Sequence, residues 1–201
     1  MPGDRPRKAK TSRLLVVDAS ILRAAGGEQA THPTPMRARD TLKAILDICH
    51  RVCETTELRA ERQRHQSRYA RLWFTQMLGK KKIAWPEPHD CSAMMAEIAS
   101  DPTIGEPEKE AIEKDIHLIA AARAADKIVL SLDDRVAAHL RRICLDRATT
   151  THAVAADILW INPVEDHTAA QNWLSEAIPA RSNWRLGLPR PRERSRSGTR
   201  P

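Results

Sequence analysis

Residues 113–134 read EKDIHLIAAARAADKIVLSLDD and combine a predicted helix, a predicted strand and an acid near each end. From Asp115 onward, apolar residues recur at helical spacing, and aspartate is favoured where a helix begins. The run Ile128–Leu130 is too short for a helix and rich in β-branched residues, so we predict a buried strand that ends just before Asp133. A helix of about twelve residues rises roughly 18 Å and a strand of four or five residues returns roughly 15 Å. We therefore expect Asp115 and Asp133 to meet at one edge of a sheet.

A second apolar run, Leu14–Val17, also ends in an acid, Asp18, which is followed closely by Ser20. This pattern predicts a buried parallel strand and then a short helix. In a parallel sheet the carboxyl ends of the strands share one edge, so Asp18 is expected beside Asp133. An aspartate in this position is equally typical of a helix N-cap, and this alternative stays open.

A long helix is predicted from Thr55 or Thr56 to about residue 78, and Glu61 lies on its apolar face. A carboxylate that faces a core is costly unless it is paired or binds a metal ion. Because the helix is rich in arginine, a salt bridge is the simplest alternative for Glu61. We predict that His65, on the same face, is a packed or hydrogen-bonded core residue and not a ligand.

Strands that alternate with helices predict an α/β fold around a mainly parallel sheet. The 201 residues suffice for one well-buried domain, which we place at residues 13–178. We predict a basic N-terminal tail at residues 1–12 and a disordered Arg/Pro-rich tail at residues 179–201.

The net charge of +7 is concentrated at the two ends of the chain. Residues 14–180 hold 21 basic and 24 acidic side chains, so the body is slightly acidic. Basic tails beside an acidic body suit the binding of a polyanion, or they are simply solvated ends. The four cysteines show no zinc-binding spacing, no secretory signal is recognisable, and no apolar run approaches the roughly 18 residues of a membrane span. We therefore expect a reduced, cytoplasmic location away from the membrane.

The acids predicted at the strand ends indicate a divalent-metal site built from oxygen ligands. Mg²⁺ and Mn²⁺ prefer carboxylate and water ligands, and clustered carboxylates repel one another without a cation. Such ions polarise phosphoryl oxygens and generate a hydroxide nucleophile.

Four segments resemble the PIN-domain ribonucleases: LLVVDAS at residues 14–20, TTELRAE at 55–61, DIHLIAAA at 115–122 and SLD at 131–133. The resemblance covers about residues 13–163. It implies a three-layer α/β/α sandwich with a central, mainly parallel sheet. It also implies that Asp18, Glu61, Asp115 and Asp133 are the catalytic and metal-binding acids, with Ser20 and Ser131 in support and Asp134 as the neighbouring alternative to Asp133. Glu54 and Glu57 lie close enough to compete with Glu61.

The function implied by this resemblance is Mg²⁺- or Mn²⁺-dependent cleavage of single-stranded RNA. The family also suggests the toxin of a VapC-like toxin–antitoxin pair, with a protein antitoxin as partner, or a housekeeping RNA-processing nuclease, and its members often form homodimers. The alternative outside catalysis is an RNA-binding or assembly module that keeps the fold while the acids serve as caps and salt bridges. A phosphatase with an aspartate nucleophile is disfavoured because Asp18 lacks a second Asp two residues later.

Basic residues outside these motifs are candidates for nucleic-acid contact. They are Lys80, Lys81 and Lys82 at a helix end, and Arg190, Arg192 and Arg194 in the C-terminal tail. The lysines would equally suit the helix dipole without any further function.

Overall fold

The computed structural model describes residues 12–26, 32–146, 148–176 and 178–189. It contains a five-stranded sheet in which every neighbouring pair of strands is parallel, in the order β3-β2-β1-β4-β5. The strands are β1 (Leu14–Val17), β2 (Arg51–Cys53), β3 (Ile83–Ala84), β4 (Ile128–Leu130) and β5 (Leu159–Ile161).

Helices cover both faces of this sheet. They are α1 (Ala19–Ala24), α2 (Pro33–Asp47), α3 (Thr56–His65), α4 (Arg68–Gly79), α5 (Ser92–Ser100), α6 (Glu106–Arg123), α7 (Asp134–Cys144), α8 (Thr150–Ala155) and α9 (His167–Ser175). No helix in the described ranges is long and apolar enough to cross a membrane.

The core is divided by the sheet into two apolar clusters, as the alternation of side chains along a strand requires. In β1, Leu15 and Val17 pack with α2, α4 and α9, whereas Val16 packs with α5, α6 and α7 on the other side. All three residues of β4 are buried, which fits a strand covered on both faces. The predicted three-layer α/β/α sandwich is therefore confirmed.

The sequence predicts a short acidic helix over residues 107–114 and a second helix that starts at Asp115, but the two are one continuous helix in the structure. Helix α6 starts at Glu106, so Asp115 lies in its interior instead of at its N-terminus. Two features explain the early start: Pro107 occupies the first turn, where its missing N–H costs nothing, and Ile112 extends the buried stripe toward the N-terminus. Asp115 is therefore not a capping residue.

The predicted long helix that carries Glu61 is in fact two helices. Helix α3 ends at His65, and α4 begins at Arg68 after the extended residues Gln66 and Ser67. The Ser67 hydroxyl accepts a hydrogen bond from the Ala70 N–H at 3.2 Å, so Ser67 caps the second helix.

The C-terminal boundary predicted at residue 178 is too early. Residues Ser182–Trp184 form a 3-10 turn, and Trp184 and Leu186 are buried. The Trp184 Nε1–H donates to Asp166 Oδ2 at 2.8 Å, and the Leu186 N–H donates to the Ile158 carbonyl at 3.1 Å. At the other end of the chain, residues 1–11 of the predicted N-terminal tail lie outside the described residues.

Candidate functional site

The sheet order creates a crevice between β1 and β4. From β1 the chain builds β2 and β3 on one side, and it then crosses over to build β4 and β5 on the other. Ligands of open α/β sheets bind at such a switch point, beyond the carboxyl ends of the strands. Asp18 follows β1 at this point, and Ser131 and Asp133 follow β4.

The four predicted acids, Asp18, Glu61, Asp115 and Asp133, line a single cleft of about 180 Å³ at this crevice. Two come from strand ends and two from helices α3 and α6, so residues far apart in sequence converge.

Asp18 is held by two serines. It is buried, and its Oδ2 accepts hydrogen bonds from Ser20 Oγ and, at 2.7 Å, from Ser131 Oγ. Although Asp18 stands at the N-cap position of α1, its side chain makes no capping hydrogen bond. The N-cap interpretation is therefore wrong for this side chain.

The same two serines fix the loop after β4. Ser131 Oγ accepts from the Asp133 N–H and Ser20 Oγ accepts from the Leu132 N–H, both at 3.0 Å. Each hydroxyl therefore donates to Asp18 and accepts from the backbone that carries Asp133, which couples the ends of β1 and β4.

Asp133 combines a structural role with a place in the cleft. Its Oδ1 accepts from the N–H groups of Arg135 and Val136, both at 3.0 Å, and so caps α7. Its Oδ2 has no hydrogen-bond donor among the described residues. Asp134 lines a neighbouring groove instead, where its Oδ2 accepts from Asn162 Nδ2 at 2.9 Å.

The negative charges of neighbouring acids affect the pKa of Asp115. Its pKa is raised to about 6, first by burial and then by the negative charges of Asp18 and Asp133. This shift is the expected effect of like charges gathered in a partly desolvated site.

Glu61 faces a histidine and not an arginine. Its Oε2 lies 3.2 Å from His117 Nε2, and His117 Nδ1 lies 3.1 Å from the Lys114 carbonyl. Because both ring nitrogens face acceptors, both hydrogen bonds form together only when the ring carries two protons.

The arginine salt bridge considered for Glu61 is made by Glu54. Arg62 Nε donates to Glu54 Oε1 at 2.7 Å, and its guanidinium stacks 3.6 Å from the centre of the Phe74 ring. Burial raises the pKa of Glu54, although the hydrogen bond and charge of Arg62 oppose that shift. Glu54 and Glu57 are both absent from the lining of the cleft.

The four carboxylates of the cleft are chemically suited to a hard cation, and no thiol lines it beside them. In the described part of the chain, however, no group of three His, Cys, Asp or Glu side chains is arranged to hold a metal ion. Asp18, Asp133 and Glu61 are engaged by serine hydroxyls, backbone N–H groups and His117 respectively.

Three further residues of the cleft were missed or misjudged from the sequence. Arg23 and Lys114 place two exposed cations on its walls, and His65, predicted to be packed, is exposed and lines the cleft. Arg23 lies five residues after Asp18, and Lys114 directly precedes Asp115, but only the fold shows that these side chains share one cleft.

The predicted lysine cluster lies at the opposite edge of the sheet. Lys82 directly precedes β3, and its Nζ donates to the carbonyls of Ile45, Leu46 and Ile48 at the end of α2. Lys80, Lys81 and Lys82 are therefore remote from the acidic cleft, and Lys82 is a helix-terminus contact. Arg190, Arg192 and Arg194 lie outside the described residues.

In comparisons with known proteins, no family model matches this chain. No curated protein and no solved structure is significantly similar to it either.

Proposed function

We propose that this protein is a metal-dependent endoribonuclease that cleaves single-stranded RNA and is related to the PIN-domain ribonucleases. The observation that carries the proposal is the convergence of Asp18, Glu61, Asp115 and Asp133 in one cleft at the switch point of the sheet. These four acids come from four separate segments and share the cleft although their charges repel, which supports a role in holding a cation.

In this proposal the four carboxylates would hold Mg²⁺ or Mn²⁺, and the ion would supply Lewis acidity toward a phosphoryl oxygen and activation of the attacking water. Ser20 and Ser131 orient Asp18 through their hydrogen bonds. His117 orients Glu61, and the cap of α7 fixes the backbone of Asp133 while Oδ2 is left for a ligand.

Arg23 and Lys114 offer contacts to the phosphates of the substrate. Both are exposed, both line the cleft, and neither forms an ion pair with a described residue. Phosphate contacts by such side chains position a nucleic acid without reading its sequence.

Cleavage of a labelled single-stranded oligoribonucleotide by the purified full chain tests the proposal. We expect cleavage with Mn²⁺ or Mg²⁺, its loss with chelator, and a loss of at least about 100-fold in Asp18→Asn and Asp115→Asn, as for removal of a strong electrostatic contribution. Glu113→Gln is the matched control, because Glu113 is an exposed acid on the same helix as Asp115. Cleavage that survives in both aspartate variants would mark a contaminating nuclease and refute the proposal.

A second candidate, a non-catalytic RNA-binding or assembly module, is favoured by one specific observation. Asp18, Glu61 and Asp133 each have a protein partner that would account for the side chain without a metal ion. This candidate predicts RNA binding that weakens steeply with salt, without turnover in any divalent cation.

A further inference from the structure

A larger groove of about 590 Å³ opens beside the acidic cleft. It is bounded by α1, α6 and the first turn of α7, and the two cavities share Ser20, Arg23, Lys114, Asp115 and Asp133. A ligand held at the cleft therefore has a continuous path into the groove. The volume of the groove lies within the roughly 300–1,000 Å³ of small-molecule sites.

The polar part of the groove carries cations that no described acid neutralises by an ion pair. Arg23, Lys114 and Arg135 are exposed and form no salt bridge within the described residues. Three carboxylates line the same groove, so its formal charge is balanced. The groove therefore suits local contacts to single phosphates more than general attraction of a polyanion.

The remaining wall is apolar and built from small or short side chains. Ala24, Ala111, Leu132 and Val136 supply it, and none of them offers a side-chain donor or acceptor. A flat, uncharged group can lie against such a wall without leaving a polar partner unsatisfied. A base bound there would not be identified by its hydrogen-bonding edge.

We propose that this groove binds one nucleotide of single-stranded RNA beside the phosphate at the acidic cleft, with Arg135 contacting its phosphate. The inference rests on the proposed function and adds the substrate position next to the cleavage site. The cations of the groove suit the phosphate of a nucleotide, and its apolar wall suits the flat face of an unpaired base. An acidic peptide would satisfy the cations but would leave the apolar wall exposed.

Two variants separate the groove from the cleft. Arg135 lines the groove and not the cleft, and so does Ala111, where a phenylalanine would fill the space from α6. The matched controls are Arg71→Ala on α4 and Ala96→Phe on α5, since both residues are exposed and line neither cavity.

Binding of a fluorescent single-stranded oligoribonucleotide is measured by anisotropy against salt concentration, with every variant made in the full-length Asp18→Asn chain so that the RNA survives. We expect Arg135→Ala to weaken binding about tenfold at low salt, the loss of one charged hydrogen bond. The slope of log K against log salt should fall by about 0.7, the value for one phosphate of a single strand. Ala111→Phe should cause a comparable loss of affinity, whereas both control variants should bind as the parent chain does.

Unchanged affinity and slope in Arg135→Ala and Ala111→Phe, or no RNA binding at all, would overturn the groove proposal. So would equal competition by an oligoglutamate of matched charge, which would favour an acidic protein segment instead. These binding measurements do not depend on whether the chain cleaves RNA. Cleavage by the wild-type chain, together with unchanged binding in both variants, would refute the groove proposal alone. Weakened binding in both variants, with no cleavage by the wild-type chain, would refute the nuclease proposal alone.

Discussion

Asp18 and Asp115 lie in the same cleft but in different electrostatic surroundings. Asp18 is buried but is stabilised by two serine hydroxyls. No described side chain or N–H group donates a hydrogen bond to the Asp115 carboxylate, and this acid lies in the field of Asp18 and Asp133. The charged form of Asp115 is therefore disfavoured in the fold, as is common for carboxylates in functional sites.

The effect of the Asp115 charge on the free energy of unfolding can be measured as a function of pH. The pKa of Asp115 is about 6 in the folded chain, against about 3.9 for an unperturbed aspartate. Because the folded state holds this proton more tightly, the contribution of Asp115 to stability falls as pH rises from about 4 to about 6. Replacing Asp115 by Asn should raise the free energy of unfolding at pH 7.5 by on the order of 1 kcal/mol, after allowance for solvent screening, and change it little at pH 4.

Urea unfolding of the wild type, Asp115→Asn and Glu113→Gln at both pH values tests this expectation. If Asp115→Asn were less stable than the wild type at pH 7.5, the charged carboxylate would stabilise the fold and the expectation would be wrong.

Single residues also show where sequence reasoning reached its limit. Asp18, Asp115 and Asp133 are recognisable because each belongs to a pattern that continues into a strand or a helix. Glu61 was separable from Glu54 only in three dimensions, where Glu54 pairs with Arg62 and Glu61 faces His117. His65 is the last residue of α3 and is exposed, and the apolar periodicity did not indicate that the helix ends there.

At the level of elements, the strands that position the site are the ones with a clear sequence signal. The runs that form β1 and β4 are short, continuous and apolar, and this pattern predicts buried strands. Strand β3 has two residues and exists because it pairs with β2 through the Val52–Ile83 and Cys53–Ala84 register. No local pattern reveals so short a strand, since tertiary pairing decides it.

The segment after residue 178 is the clearest failure of compositional reasoning. Its Arg and Pro content predicted disorder, but Trp184 packs edge-on against Trp173 with ring centres 5.8 Å apart. Leu159 forms an antiparallel bridge to Arg185, so this segment covers the free edge of β5. The burial of Trp184 and Leu186 and the bridge to β5 order this segment in spite of its polar composition.

A single glycine tests whether this segment stabilises the domain. A Cβ at Gly187 would lie 2.6 Å from Ala156 Cβ and 2.9 Å from the Ala156 carbonyl oxygen. We expect Gly187→Ala to displace the segment and lower the free energy of unfolding by about 1–3 kcal/mol, as for other overpacked sites. Thermal unfolding followed by near-UV circular dichroism would report both the stability and the packing of Trp184.

Gly79→Ala is the matched control, because a Cβ there meets nothing within 4 Å. It should leave stability unchanged or raise it slightly. If Gly187→Ala were as stable as the wild type, the contact with Ala156 would contribute nothing to the fold.

The whole molecule explains why the acids meet. The sheet order β3-β2-β1-β4-β5 makes β1 and β4 neighbours although more than 100 residues separate them in the chain. The sequence predicted the parallel α/β architecture, and with it a shared edge for Asp18 and Asp133. It did not predict the groove beside the cleft, because Arg23, Lys114 and Arg135 belong to no pattern and meet only through the packing of α1, α6 and α7.

Calorimetric titration of the full chain with Mn²⁺ tests most directly whether the four acids form one metal site. We predict binding that is lost in both Asp18→Asn and Asp115→Asn and retained in Glu113→Gln, because only the first two substitutions remove a carboxylate of the cleft. A wild-type chain that binds no Mn²⁺, or binding that is unchanged in the two aspartate variants, would contradict a metal site at the switch point of the sheet.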